Sequence, residues 1–303
     1  MIHIFIINSF AGQKMFAEEL REQLSTLTGL EYFVFNTRYE GYETTLVQKI
    51  LKIFEGRKLR FYCCGGSGTM RKMLGGFDDL DTAEIAFYPC GLTNDFLKMF
   101  GKNKERFFDI KELIYGEVIE VDYIRTNHGI ALNTLSTGLD SNCVDKMNDY
   151  RILRFINGNI PYTIATLYSI FISKTFEYEV TLDGVSYIDK FAEILVGNGC
   201  IFGGNMHFAE STSINDGKAI YRLAGNKRGF DIIPTLLALT QEKYHEFPQL
   251  MQCGDCGTVK IKRTDNSPFT INLDGDLIKN INVCEATVVH KGLHFVVPKG
   301  VKI

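Results

Sequence analysis

The stretch Leu59-Arg-Phe-Tyr-Cys-Cys-Gly-Gly-Ser-Gly-Thr69, followed by a helical segment and by Ile85-Ala-Phe-Tyr-Pro-Cys-Gly-Leu-Thr-Asn94, decides the fold. Leu59 to Cys64 is an apolar run of strand length, and it breaks into Gly65, Gly66 and Gly68, a hydroxyl at Thr69, and then a helix. Such a turn brings backbone N–H groups and a helix N-terminus to one point, a place to hold phosphate. The second half repeats the pattern. Ile85 to Tyr88 reads as a buried strand, and Pro89 to Asp95 as a turn into the helical spacing of Phe96, Leu97, Met99 and Phe100. Either turn alone reads as an ordinary loop. The pair suits adjacent parallel strands whose carboxyl ends meet at the crevice where open α/β sheets bind ligands.

On the N-terminal side, Ile2 to Ile7 is a continuous β-branched and aromatic run, as in a parallel strand buried on both faces. A polar turn, Asn8 to Gly12, follows it. Lys14 to Leu27 has helical spacing in Phe16, Leu20, Gln23 and Leu24; Tyr32 to Phe35 reads as a second strand and Thr44 to Phe54 as a second helix. This βαβαβα rhythm predicts an α/β domain built on a doubly wound parallel sheet with right-handed crossovers.

The rhythm stops near Gly116. From Val118 the chain offers short alternating strands between Gly, Asn and Asp turns: Val118 to Ile124, Gly129 to Asn133, Tyr178 to Val185, Phe191 to Val196, Lys218 to Leu223, Thr258 to Arg263, Phe269 to Leu273, Val283 to His290 and Leu293 to Val297. Helices are expected over Asp145 to Ile156, over Ile160 to Ser173 and around Ile232 to Thr240. The second half is therefore expected to be an antiparallel β-sandwich or barrel. The domains expected are 1–121 and 122–290, with 291–303 returning to the first.

The 303 residues are 45% hydrophobic and 12% aromatic, enough for a full core. A net charge of −3 supplies no basic field for nucleic acid. Eight scattered cysteines read as reduced, apolar-type thiols. Cys253-Gly-Asp-Cys256 has the spacing of half a zinc site but no second pair near it, and is expected to be a turn. The best apolar run, Ile160 to Ile172, is too short to span a bilayer, and Met1 to Ile7 lacks a basic leader. A cytoplasmic protein is expected, with peripheral membrane contact and a homodimer left open.

In order, strand-Gly-Gly-x-Gly-Thr, strand-Pro-x-Gly-x-x-Asn-Asp-Phe, Val196-Gly-Asn198 before Gly203-Gly204, Asp216-Gly217 and the late Asp274-Gly275-Asp276 resemble the diacylglycerol kinase catalytic-domain family. That family includes soluble bacterial lipid kinases and sphingosine kinases, and shares its N-terminal domain with NAD kinases and phosphofructokinases. The resemblance implies an N-terminal nucleotide domain, a C-terminal β-sandwich, ATP and Mg²⁺ between them, and phosphoryl transfer to a lipid or lipid-like hydroxyl. It assigns Asn8 and Gly12 to the first nucleotide loop and Thr37 to the phosphate side of the second strand. Gly65, Gly66, Ser67, Gly68 and Thr69 become the turn over the phosphates, with Gly91 and Asn94 on the next turn. Asn94 and Asp122 match a polar magnesium network, Asp216 an acid able to hold a structural metal, and Asp274 and Asp276 the terminal acidic motif, with Asp274 also counted among the expected metal ligands. The last carboxylate of that motif is the base toward the acceptor.

The departures are specific. Ser67 stands where the family has Asp, Leu92 where it has Thr, Ser9 where proline is usual, and Arg71-Lys72 where Asn-Glu is usual. Asp276 replaces Glu, one methylene shorter. Ser67 offers Mg²⁺ only a neutral oxygen. Arg71 and Lys72 read either as phosphate-neutralising cations or as solvated helix residues. Each Asp-Gly pair also spells a plain turn, as Asp183-Gly184 does. Two further readings follow: a degenerate member that binds nucleotide or lipid without efficient transfer, and a kinase for a soluble acceptor.

Overall fold

The computed structural model describes residues 1–8, 15–90, 94–149, 175–202, 206, 207, 209, 213–225, 234 and 251–302. The expected helices over Ile160 to Ser173 and around Ile232 to Thr240 lie outside these residues, apart from Pro234. The chain divides into two compact units: Met1–Val121 with Lys291–Ile303, and Asp122–His290.

Unit 1 is built on β1 (Ile2–Ile7), β2 (Tyr32–Asn36), β3 (Leu59–Gly65) and β4 (Glu84–Pro89). All neighbours are parallel, in the order β2-β1-β3-β4. Every residue of β1, β3 and β4 is buried, which is why these strands read as unbroken apolar runs, whereas the edge strand β2 is partly exposed. The crossovers carry α1 (Met15–Ser25), α2 (Tyr42–Ile53) and α3 (Ser67–Leu74). Residues 294–296 of the last strand pair in parallel with Glu84, Ile85 and Ala86.

The expectation of a doubly wound sheet holds, and four local details differ. Helix α3 begins at Ser67, so the bare turn is only Gly65-Gly66 and Ser67 to Thr69 form the first helical turn. The segment after β4 is 3₁₀-type over Asp95–Phe108 and broken at Gly101, whose φ of 54° suits a residue without Cβ. A helix expected from Asp145 starts earlier, as the Leu139–Asp149 helix. Cys253 and Cys256 lie within one strand, Met251–Cys256, rather than in a turn. Three residues apart on a strand, they point to opposite faces, and Cys253 is exposed while Cys256 is buried.

One buried polar assembly ties the sheet of unit 1 to α4 (Ile110–Ile114). Arg60 pairs with Glu84 at 2.6 Å, and its Nη1 donates to the carbonyls of Leu113, Ile114 and Gly116 at 3.0, 2.9 and 3.4 Å. The guanidinium thereby satisfies carbonyls left open at the helix end and neutralises a buried carboxylate. Burial pushes the Glu84 carboxyl up, but hydrogen bonds from Lys58 and Arg60 hold it below its ordinary value.

Unit 2 is a sandwich. One sheet is antiparallel in the order Met251–Cys256, Ala219–Ala224, Glu193–Gly197, Thr134–Gly138, Phe269–Leu273, Asp276–Ile281. Strands Thr258–Arg263, Phe176–Leu182 and Val185–Phe191 form the other, against the first part of Val283–Val297. Val283–Val297 is continuous where two strands were expected. Inward residues from both sheets, including Leu135, Val180, Val196, Ile261 and Ile271, make one core.

His3 on β1 is buried, with Nδ1 2.7 Å from the Tyr62 hydroxyl. Burial, with Arg60 beside it, lowers its pKa from 6.5 to about 4. Between these values the unfolded chain takes up a proton that the folded chain refuses. The stability carried by neutral His3 is therefore complete above about pH 6.5 and is lost as pH falls toward about 4. His3→Gln is expected to flatten the fall in Tm across that window; parallel melting curves for variant and parent would show that His3 does not carry it.

Candidate active site

In unit 1 the site grows from the carboxyl edge of the parallel sheet. Adjacent strand ends are stitched by main-chain bonds: Thr37 N–H to Ile7 O at 2.9 Å, Asn8 N–H to Cys64 O at 3.0 Å and Cys90 N–H to Gly65 O at 2.8 Å. The residues that follow β1, β2, β3 and β4 therefore emerge side by side. Gly65 and Gly66 carry the chain into α3, which has no side-chain cap at its N-terminus. First-turn N–H groups of a helix have no intrahelical partner, so Ser67, Gly68 and Thr69 present donors and the positive end of the helix dipole.

Asn8 is fixed over this turn by its Nδ2 donating to Thr69 Oγ1 at 2.7 Å. Gly65 is packed directly beneath: a Cβ there would lie 2.6 Å from the Thr69 side chain. The Thr37 hydroxyl is buried and has no hydrogen-bond partner among the described residues. Asn94 stands in a left-handed conformation, φ 41°, immediately before the 3₁₀ segment, without a side-chain cap to it. Burial raises the thiols of Cys63, Cys64 and Cys90 well above their ordinary value, leaving the edge without thiolate charge. Lys72 pairs with Glu40 at 3.0 Å. Gly12 and Gly91, with Ser9 and Leu92, lie outside the described residues.

In unit 2, several segments gather around Asp274 and Asp122. Asp274 occupies the left-handed turn between strands Phe269–Leu273 and Asp276–Ile281, φ 51° with Gly275 at 93°. Its carboxylate accepts the N–H groups of Leu132, Asn133 and Thr134 at 2.6, 3.0 and 2.7 Å, and its own N–H donates to Thr134 O at 3.1 Å. Asp276 follows, half-buried, as the first residue of its strand and directly opposite Leu273. Asp122 is fully buried; it accepts Gly217 N–H at 2.6 Å and lies 3.1 Å from His290 Nδ1. Asn198 donates to the carbonyls of Asp122 and Leu132 at 2.7 and 3.2 Å, joining the two acids' neighbourhoods. Asp216 accepts Lys218 N–H at 3.0 Å within its turn.

Among the described residues no three His, Cys, Asp or Glu side chains form a metal cage. The engaged oxygens of Asp122 and Asp274 suit holding backbone more than wrapping a bare cation. Mg²⁺ fits here only with most of its ligands taken from phosphate and water. His290 and the Leu132–Thr134 amides were not picked out from the sequence. An Asn at the end of the apolar run Gly129 to Asn133 was the one available signal, and it names no partner.

Unit 1 thus carries a parallel sheet ending in a glycine turn, and unit 2 a sandwich bearing a clamped Asp-Gly-Asp hairpin. The model of the diacylglycerol kinase catalytic domain matches residues 3–126, and that of the YegS C-terminal NAD kinase beta sandwich-like domain matches 133–297. The chain belongs to the diacylglycerol kinase catalytic-domain family. It is 23% identical over 218 residues to a Staphylococcus aureus (strain MSSA476) protein provisionally named lipid kinase SAS0691, covering 71% of this chain and 70% of that one. Two solved structures from Bacillus anthracis str. Sterne share the fold. A provisionally assigned diacylglycerol kinase superimposes with TM-score 0.74 at 19% identity, and a second diacylglycerol kinase with 0.68 at 17%; each comparison covers 99% of this chain and 98% of the other. No described helix is long and apolar enough to cross a membrane.

Gly65→Ala is expected to displace Thr69 and break its bond to Asn8. Affinity for a non-hydrolysable ATP analogue should fall at least about tenfold, roughly 1.4 kcal/mol, by calorimetry with far-UV circular dichroism unchanged. Unaltered binding would remove the glycine turn from the nucleotide site.

Proposed function

We propose that the protein transfers the γ-phosphoryl group of ATP to the hydroxyl of a lipid. The observation that carries this reading is the sheet edge of unit 1: an uncapped helix N-terminus behind Gly65-Gly66, with Asn8 fixed to Thr69 and the buried Thr37 hydroxyl nearby. That edge supplies donors where phosphate charge would rest. Gly12, Ser67, Gly68 and Gly91 complete the nucleotide loops by family correspondence, Asn94 and Asp122 belong to the polar magnesium network, and Asp216 is the acid able to hold a structural metal. Mg²⁺, arriving with the nucleotide, would neutralise phosphate charge.

Asp276 acts as the base that takes the acceptor's hydroxyl proton. Asp274, already committed to three N–H groups, holds the turn that presents it. Asp276 reaches one methylene less than a glutamate, so the acceptor hydroxyl must come closer to the hairpin backbone. The segment Ile160 to Ile172 is assigned to sheltering an acyl chain, from its sequence alone.

A second reading, nucleotide binding without efficient transfer, draws on the first turn of α3, which contains no acidic residue. It predicts ATP binding insensitive to Mg²⁺, and gain of activity in Ser67→Asp.

The test is γ-phosphate transfer to diacylglycerol, monoacylglycerol, phosphatidylglycerol and sphingoid bases. One acceptor is expected, and Asp276→Asn should lower kcat about 10²- to 10⁴-fold. Transfer to none of the four, or full activity in Asp276→Asn, would sink the respective claim.

A further inference from the structure

The Asp274-Gly275 turn is held from a second side, by residues outside the acidic motif. Asn272 Oδ1 accepts Gly275 N–H at 2.8 Å, while Asn272 Nδ2 donates to Asp140 Oδ2 at 2.7 Å. The same carboxylate oxygen accepts the Ser136 hydroxyl at 2.6 Å, and Asp140 N–H donates to Glu193 Oε2 at 2.9 Å. Ser136 lies opposite Asn272 in the sheet, so this group spans neighbouring strands and the start of the Leu139–Asp149 helix.

We propose that Asn272 and Asp140 are positioning residues for Asp276, forming a relay in which a buried carboxylate fixes the turn through one side-chain amide. The inference rests on the reading of Asp276 as the base. A carboxylate only accepts hydrogen bonds and a backbone N–H only donates them, so an amide between the two has one satisfactory orientation and uses both ends. Asn272 is 4% exposed and Asp140 7%. Neither group hydrates at the surface, and burying a carboxylate is costly unless its partners are well placed.

Turn chemistry does not account for that cost. Asp183-Gly184 closes the hairpin between Phe176–Leu182 and Val185–Phe191 with nearly the same backbone, φ 46° and 84°. The Asp183 carboxylate that steadies it works from the surface, accepting Gly257 and Thr258 N–H. An Asp-Gly turn therefore forms without a buried acid behind it. What the relay adds is direction. Gly275 is held from the strand by Asn272 and Asp274 from the opposite loop by three amides, which leaves residue 276 one backbone course. A short carboxylate has the least tolerance for misplacement, so the departure from Glu to Asp makes this clamp more consequential.

Asn272→Asp keeps the side-chain shape and the Gly275 acceptor but sets a second carboxylate against Asp140. Adding Asp140→Asn exchanges the two groups and restores a donor and an acceptor across the same gap. With labelled ATP and dioctanoylglycerol micelles as probe, Asn272→Asp is expected to lower kcat about a hundredfold with the ATP KM within about twofold. The double variant should recover at least about tenfold of that loss, and Gly275 amide hydrogen exchange should quicken in the single variant and slow again in the double. A double variant as slow as the single, or unchanged Gly275 exchange in the single, overturns the relay. The exchange measurement decides it even if the micelle probe accepts no phosphate. Loss of transfer in Asp276→Asn beside parental kcat in Asn272→Asp removes the relay alone, whereas full activity in Asp276→Asn removes the reading beneath it. Should Asn272→Asp not fold, Asn272→Ala breaks both bonds without adding charge and is expected to show the same kcat fall; parental kcat in it overturns the relay equally.

Discussion

Three strands buried on both faces, β1, β3 and β4, impose the constraint on which unit 1 depends. A strand with no wet face can satisfy its backbone only against neighbours on either side, and its side chains must all be apolar or internally paired. Polar chemistry is thereby driven to the strand ends. At the amino ends and their helix it becomes the Arg60–Glu84 assembly, which is structural. At the carboxyl ends it becomes the glycine turn, Asn8 and Thr37, and the parallel direction places all of these on one edge.

The sandwich of unit 2 solves a different problem with the same means. Its antiparallel strands bury one face each, leaving turns to carry acids, and an Asp-Gly turn is cheap to make. The Asp274 turn differs from a bare hairpin in how many other segments are spent on it: three amides from one loop, a side-chain amide from its own strand, and a buried acid behind that. Such redundancy fixes orientation rather than adding stability, because each buried polar group must first lose its water.

Much of this was legible in the residues. Ile2 to Ile7 and Leu59 to Cys64 could be little else than buried parallel strands, and the switch to short alternating runs after Gly116 marked the sandwich. The misreadings share a cause. Whether Ser67 ends a turn or begins a helix, and whether Cys253 to Cys256 bends or runs straight, depends on a partner strand or helix face that local pattern does not contain. The two strands expected after Val283 run as one, Val283–Val297, although Lys291 within it takes a left-handed φ of 50°.

By itself the sequence determined the order of elements, the glycine turn and the acidic motifs, since periodicity and turn chemistry act between residues close in the chain. Only tertiary structure decided what each acid holds: Asp274 the backbone of residues 132–134, Asp122 the Gly217 N–H and the His290 ring, and Asp140 the Asn272 side-chain amide. The partners in each set lie about ninety or more positions apart, and a hydrogen bond fixes distance and direction in space, which sequence separation does not encode.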